Sequence, residues 1–200
     1  MSTRAAAAVE RALDERHREA SEVVERILAA TVRVMERVSP EPPRVSDIVT
    51  EAGSSKKAFY RYFAGKDDLL LAVLERGVGI IVSYLEHQMA KEDQPRDQIT
   101  RWITGVLAQV ADPNLMSMSR ALAVQLAVSA DAGPDEDVMA PMRALLLGPV
   151  AALGGDDRDA DAVFRLTAAT MRRYVGSAHP PDRADVDHLV RFCLRALGVR

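Results

Sequence analysis

The stretch from Arg44 to Leu70 constrains the fold more than any other part of this 200-residue chain. It reads RVSDIVTEAGSSKKAFYRYFAGKDDLL, in which Gly53 can adopt the positive φ angle that ends a helix. Ser54 and Ser55, which follow it, are both candidate N-caps for a second helix. Phe59 and Phe63 are four residues apart in that helix, which places them on one inward face. The sequence therefore predicts a helix, a turn and a second short helix.

The opposite face of the second helix is basic and aromatic. It carries Lys56, Lys57, Tyr60 and Arg61, which point outward when the phenylalanines pack inward. A short helix with a buried aromatic seam and a basic outer face fits the major groove of DNA. We therefore interpret the stretch as a helix-turn-helix motif that binds DNA.

The stretch resembles the DNA-binding domain of the TetR family of bacterial repressors. The most specific match is the spaced run Tyr60-Arg61-Tyr62-Phe63, two residues, Lys66, two residues, Leu69. The other matching residues flank the turn: Val45, Asp47, Ile48, Ala52, Gly53, Ser55 and Phe59. The resemblance implies an all-α fold, with an N-terminal three-helix DNA-binding domain and a C-terminal helical domain for ligand binding and dimerisation.

On this basis we expect three segments along the chain. Residues 1–20 would be an N-terminal extension, residues 21–65 the DNA-binding domain, and residues 66–200 the ligand-binding and dimerisation domain. The extension carries four arginines and could be a basic arm that contacts DNA. The acidic residues among those arginines favour the alternative, a solvated extension.

Seven side chains are candidates to contact DNA, and they come from the two motif helices and the residues beside them. They are Arg44, Ser46, Ser55, Lys56, Lys57, Tyr60 and Lys66. The resemblance implies that Tyr60 and Lys66 contact phosphate groups. Ser55 could cap its helix or donate a hydrogen bond to a phosphate, and these two roles compete.

The distribution of charge agrees with a DNA-binding head on a separate body. The whole chain has a net charge of −3, so it is not a basic nucleic-acid binder in bulk. Residues 1–66 hold 12 Lys and Arg against 10 Asp and Glu, whereas residues 67–200 hold 14 against 19. A mildly basic head and an acidic body favour a regulator with a DNA-binding module.

Outside the motif, the hydrophobic periodicity predicts helices alone. Apolar residues recur every three or four positions, and no segment alternates as a strand would. The predicted helices span residues 21–38, 66–90, 95–111, 113–129, 137–153, 157–175 and 182–197.

The resemblance implies that the helical body binds a small, largely apolar effector. The candidate pocket residues are apolar, and several are methionines, whose flexible side chains can adapt to varied ligands. They are Trp102, Val106, Met116, Met118, Leu122, Met139, Met142 and Leu146. The alternative for each of them is that it is an ordinary core residue.

The last two predicted helices each carry an apolar seam that could meet its copy in a four-helix bundle. The seam residues are Val163, Leu166, Thr170, Val186, Leu189, Val190, Cys193, Leu194 and Leu197. The resemblance implies a homodimer formed in this way, and two operator half-sites require two copies. The alternative is that both seams pack only within their own chain.

Nothing in the sequence is typical of an enzyme. It lacks the nucleophile-elbow, P-loop and dinucleotide-binding motifs, and its four histidines are scattered. We expect no catalytic residue, metal or cofactor, no membrane span and a cytoplasmic location. The sequence favours a homodimeric, ligand-responsive transcriptional repressor. The alternative is a helical dimer of the same fold that acts through protein partners without binding DNA.

Overall fold

The computed structural model describes residues 3–39, 41–111, 136–175, 177 and 179–199. These residues form eight α-helices and no β-strand, which confirms the predicted all-α fold. In chain order the helices are α1 (Arg4–Val38), α2 (Val45–Glu51), α3 (Lys56–Tyr62), α4 (Lys66–Met89), α5 (Pro95–Ala111), α6 (Glu136–Ala152), α7 (Asp157–Val175) and α8 (Arg183–Ala196). The helix predicted over residues 113–129 lies outside the described residues.

Helix α1 is longer than the apolar periodicity predicted, because it begins at Arg4 and not near residue 21. Thr3 caps its N-terminus, where the threonine Oγ1 accepts a hydrogen bond from the backbone N–H of Ala6 at 3.3 Å. Residues 8–19, which make up most of the N-terminal half of α1, are all exposed. The apolar stripe that guided the prediction begins only where the helix meets the core.

The chain divides into two compact units, Met1–Val73 and Leu74–Arg200. In the first unit α1 packs against α2, and α2 packs against α3. Their shared core consists of Ile27, Leu28, Ala30, Val34, Ile48, Val49, Ala52, Phe59, Phe63, Leu69 and Val73. Since Leu69 and Val73 belong to α4, the first two turns of that helix count with this unit.

In the second unit α5 packs against α6, α7 and α8. Trp102 of α5 is completely buried, and its Nε1 donates a hydrogen bond to the carbonyl oxygen of Met142 in α6 at 3.0 Å. The indole ring also lies 6.2 Å from the ring of Phe164 in α7, measured between centroids. The only tryptophan of the chain therefore joins three helices.

Two further contacts fix neighbouring helices of the second unit. A Cβ atom at Gly105 of α5 would lie 2.5 Å from Cδ2 of Leu85 in α4, so glycine is what allows these helices to approach so closely. The Tyr174 hydroxyl of α7 donates to Oδ2 of Asp185 in α8 at 2.6 Å. This hydrogen bond raises the pKa of Tyr174 and lowers the pKa of Asp185.

None of the described helices combines the length and apolarity needed to cross a membrane.

Candidate functional site

The turn between α2 and α3 has the conformation that the sequence predicted. Gly53 has a φ of 58°, in the left-handed region that glycine adopts at little cost. The N–H of Ser54 donates to the carbonyl of Val49 at 2.8 Å, so the last turn of α2 is closed by a backbone hydrogen bond. The predicted helix, turn and helix are therefore confirmed.

Ser55 positions the start of α3. Its Oγ accepts a hydrogen bond from the backbone N–H of Ala58 at 3.1 Å, so of its two possible roles the structure shows the N-cap. Phe59 is completely buried one turn into the helix. Its ring centroid lies 5.0 Å from that of Tyr60 and 5.6 Å from that of Phe63, and these contacts orient the helix.

The outward side of α3 is the basic face, which we define as Lys56, Lys57, Tyr60 and Arg61. All four residues are exposed, and Tyr60 has 60% of its surface accessible although it is a large aromatic residue. An exposed tyrosine among three cations can stack or donate through its hydroxyl while the cations meet phosphate groups. The basic face therefore has the chemistry of a DNA-contacting surface.

The remaining DNA-contact candidates lie at the ends of the neighbouring helices in the same unit. Arg44 is the N-cap residue of α2, but its side chain makes no capping hydrogen bond and is exposed. Ser46 is exposed and its Oγ donates to Oδ1 of Asp47 at 3.3 Å. Lys66 is the first residue of α4 and is half-buried.

An ion-pair network that the sequence analysis missed holds α2 against α1. Glu51 at the end of α2 accepts hydrogen bonds from Nε of Arg33 at 2.8 Å and from Nη1 of Arg37 at 3.0 Å. These bonds, with that of Arg33 the stronger influence, lower the pKa of the Glu51 carboxyl. The only signal in the sequence is that the two arginines are four residues apart and so share a face of α1.

The candidate effector residues of α5 and α6 form part of the packed core of the second unit. Trp102 and Leu146 are completely buried, and Val106 and Met142 are nearly so. Met139 borders a cavity. Met116, Met118 and Leu122 lie outside the described residues.

That cavity lies between α6 and α7 and has a volume of about 340 Å³. We call it the α6–α7 cavity, and its lining is Met139, Ala140, Arg143, Asp161, Phe164, Arg165, Ala168 and Arg172. The sequence analysis missed its three arginines. The one available signal was that Arg165 and Arg172 are two turns apart on α7, but their neighbour from α6 is remote in sequence.

Most of the candidate dimer residues are buried within the single chain. Val163, Leu189, Val190, Cys193 and Leu194 are buried, and Thr170, Val186 and Leu197 are half-buried. Of the seam residues, Leu166 alone is exposed, to 37%, while Phe192, which was not a candidate, is exposed to 57%. Burial also raises the pKa of the Cys193 thiol to about 11, so the thiolate is scarce near neutral pH.

Over the described parts of the chain, no three His, Cys, Asp or Glu side chains come together in a way that could hold a metal ion.

Comparison with known proteins gives one family match and several similar folds. Residues 27–73 match the model of the bacterial regulatory proteins of the tetR family. The fatty acid degradation regulator FadR from Bacillus halodurans is 19% identical over 87% of this chain and 93% of its own, with a TM-score of 0.64. FadR from Bacillus subtilis in complex with stearoyl-CoA is 17% identical over 86% of this chain and 96% of its own, with a TM-score of 0.62.

A third structure, the reduced form of NemR from E. coli, is 18% identical over 86% of this chain and 95% of its own, with a TM-score of 0.62. At identities this low, the comparison shows that the three structures have the same fold as this chain. Among curated proteins no match was found.

Proposed function

We propose that this protein, a TetR-family regulator by its N-terminal domain and its fold, is a homodimeric repressor that a small molecule releases from its operator. The observation that carries the proposal is the basic face of α3, exposed opposite the fully buried Phe59. Its cations and tyrosine stand on the second helix of a helix-turn-helix motif, which is the helix that enters the major groove in proteins of this architecture. The chain would then act in the cytoplasm, where bacterial DNA lies.

The contact residues divide by role. Lys56 and Lys57, in the first turn of α3, would reach base edges or the phosphates beside them. Tyr60, Arg44 and Lys66 would bind phosphates on either side and so fix the register of the helix in the groove. Ser46 and the first backbone N–H groups of α4 would add hydrogen bonds to phosphate oxygens. Ser55 would hold the start of α3 in place as its N-cap.

The dimer would form through the outer faces of α7 and α8. Leu166 and Phe192 support this, since both are large apolar side chains that stay exposed on these two helices in the single chain. A two-fold interface presents the same patch twice, so each side chain counts twice in the dimer. Two copies would place two α3 helices on two operator half-sites.

The effector part of the proposal is supported by the likeness to FadR from Bacillus subtilis, whose structure contains stearoyl-CoA. An effector shifts the protein off DNA only if it binds the DNA-free form more tightly than the DNA-bound form. Helix α4 contains residues of both compact units. We therefore propose that it transmits the change from the body to the motif.

Fluorescence anisotropy tests the DNA-binding proposal. The probe is a labelled duplex of the DNA immediately upstream of the gene, with a scrambled duplex of the same composition as control, across a series of salt concentrations. We expect tighter binding to the upstream duplex and a steep loss of affinity with salt, because each neutralised phosphate contributes about 0.9 to the logarithmic slope.

Lys57→Glu is the matching variant, and Lys91→Glu is its control. Both residues are exposed and the change of charge is the same, but Lys91 lies in the second unit. Since loss of one base contact costs about 1–3 kcal/mol, and a glutamate there would also repel the phosphates, Lys57→Glu should weaken binding by about tenfold or more. Wild-type affinity in Lys57→Glu, or an equal loss of affinity in Lys91→Glu, would show that the basic face is not the operator-binding surface.

A further inference from the structure

We propose that the α6–α7 cavity binds an amphipathic anion, meaning a molecule with a carboxylate or phosphate group attached to an apolar chain or ring. It would be the effector site of the function proposed above, and its link to DNA rests on that function. Binding in the cavity itself depends only on the residues of the second unit.

The charge of the cavity is positive and incompletely balanced. Three arginines face one aspartate, and that aspartate is engaged, since Nε of Arg165 lies 2.6 Å from Oδ2 of Asp161. Arg143 and Arg172 have no ion-pair partner among the described residues. Guanidinium groups bind carboxylates and phosphates through two parallel hydrogen bonds, so this pair is suited to an anionic group.

The rest of the lining is apolar. Met139 and Ala140 come from α6, and Phe164 and Ala168 from α7. The two alanines leave space beside the aromatic ring, and methionine adapts to the shape of an apolar group. A volume of about 340 Å³ lies near the lower end of small-molecule sites, which span roughly 300–1,000 Å³. The cavity therefore has room for an anionic group together with an adjoining apolar portion.

The cavity and the proposed dimer surface use different sides of α7. Its lining residues on this helix recur at spacings of three, one, three and four, from Asp161 to Arg172, and so lie on one side. At 3.6 residues per turn, Leu166 lies on the far side of the buried stripe that contains Val163 and Thr167. An occupied cavity is therefore compatible with a dimer through Leu166.

The fluorescence of Trp102 can report ligand binding in the cavity. Phe164 lines it, and the ring of Phe164 lies 6.2 Å from the ring of Trp102. The Trp102 indole also donates to the carbonyl of Met142, one residue before Arg143 of the lining. Because Trp102 is the only tryptophan, a ligand that moves either neighbour should change the intrinsic emission of the protein.

The test is a fluorescence titration of the full chain with decanoate and with decyl phosphate, each below its micellar concentration. We expect a saturable change in Trp102 emission with at least one of them. The anion that binds with the higher affinity shows whether the site prefers a carboxylate or a phosphate group. Decanol supplies the same tail without charge, and acetate and inorganic phosphate supply the charge without the tail. No saturable change with either anion, or an equal change with decanol, overturns the proposal.

Substitutions of the lining arginines test whether the anion binds in this cavity. Arg143→Gln and Arg172→Gln should each weaken binding about tenfold or more, because each removes charge-assisted hydrogen bonds to the anion. Arg173→Gln is the matched control, because Arg173 has the same charge on the same helix but lies over the ring of Tyr174, at 5.6 Å, and does not line the cavity. Unchanged affinity in both cavity variants, with native circular dichroism, overturns the assignment.

A second readout separates this site from the DNA-binding function. Operator anisotropy is measured with and without a saturating amount of the anion that Trp102 detects. Release of DNA supports the effector role, whereas unchanged DNA binding overturns that role and leaves the site established by fluorescence. Failure of the wild-type protein to bind any operator overturns the proposed function, and the Trp102 titration still decides the site.

Discussion

Phe192→Ser should weaken the dimer strongly, because this side chain is the largest apolar group exposed on α8. Full burial of a phenylalanine contributes about 1.5–3 kcal/mol, and 57% of the residue is accessible in the single chain. Covering that fraction would contribute about 0.9–1.7 kcal/mol per copy, and roughly 1.8–3.4 kcal/mol in a two-fold interface. The dissociation constant of the dimer should therefore rise roughly 20- to 300-fold.

Sedimentation velocity over a range of protein concentrations measures this constant directly. Ile80→Ser is the matched control, since Ile80 is 60% exposed and belongs to the same unit but lies on α4, outside the proposed interface. Leu166→Ser, at a residue with 37% exposure, should have a smaller effect than Phe192→Ser. A wild-type dissociation constant in Phe192→Ser, or equal weakening by Ile80→Ser, would refute an interface through these outer faces.

Two further predictions concern single ionisable groups. Because hydrogen bonds from Arg33 and Arg37 lower the pKa of Glu51, its ionised form should stabilise the fold above pH 4.5, and this contribution should disappear as the pH falls through the lowered value. Glu51→Gln should therefore melt below wild type at pH 7, as followed by circular dichroism, with the difference shrinking below pH 4.5; a difference that is independent of pH would contradict the ion pair. Cys193, with its pKa raised to about 11 by burial, should resist iodoacetamide at pH 8 in the native protein and react in guanidinium chloride, as mass spectrometry can show. Rapid native labelling would contradict its burial.

The motif could be predicted because its determinants are local. The positive φ of Gly53 and the cap by Ser55 each depend on residues within one or two helical turns. The four-residue spacing of Phe59 and Phe63 marked the inward face of α3 without any knowledge of what covers it. Periodicity likewise located the later helices, since an apolar stripe repeats every three or four residues whatever it packs against. Local rules therefore gave the all-α fold and the candidate basic face of α3.

The sequence could not show which partner covers each apolar face. Leu189 and Cys193 lie on a clean seam, but that seam is buried within the chain, and Phe192 between them is exposed. The same difficulty hid the cavity, whose Arg143 and Arg172 come from different helices. Pairings between distant segments follow from tertiary packing, which a helical period does not specify.

The exposed N-terminal half of α1 extends the helix without contributing to the core that supports the helix-turn-helix motif. Forming the first turn of a helix is unfavourable in free energy, whereas each further residue adds a hydrogen bond at little cost. The buried segment around Ile27 and Val34 already supplies that first turn, the nucleus of the helix. The exposed turns over residues 8–19 add their hydrogen bonds to this nucleus and bury none of its core. The chain can therefore be lengthened or shortened here by whole turns, or acquire new surface charge, while the packing behind the recognition helix stays as it is.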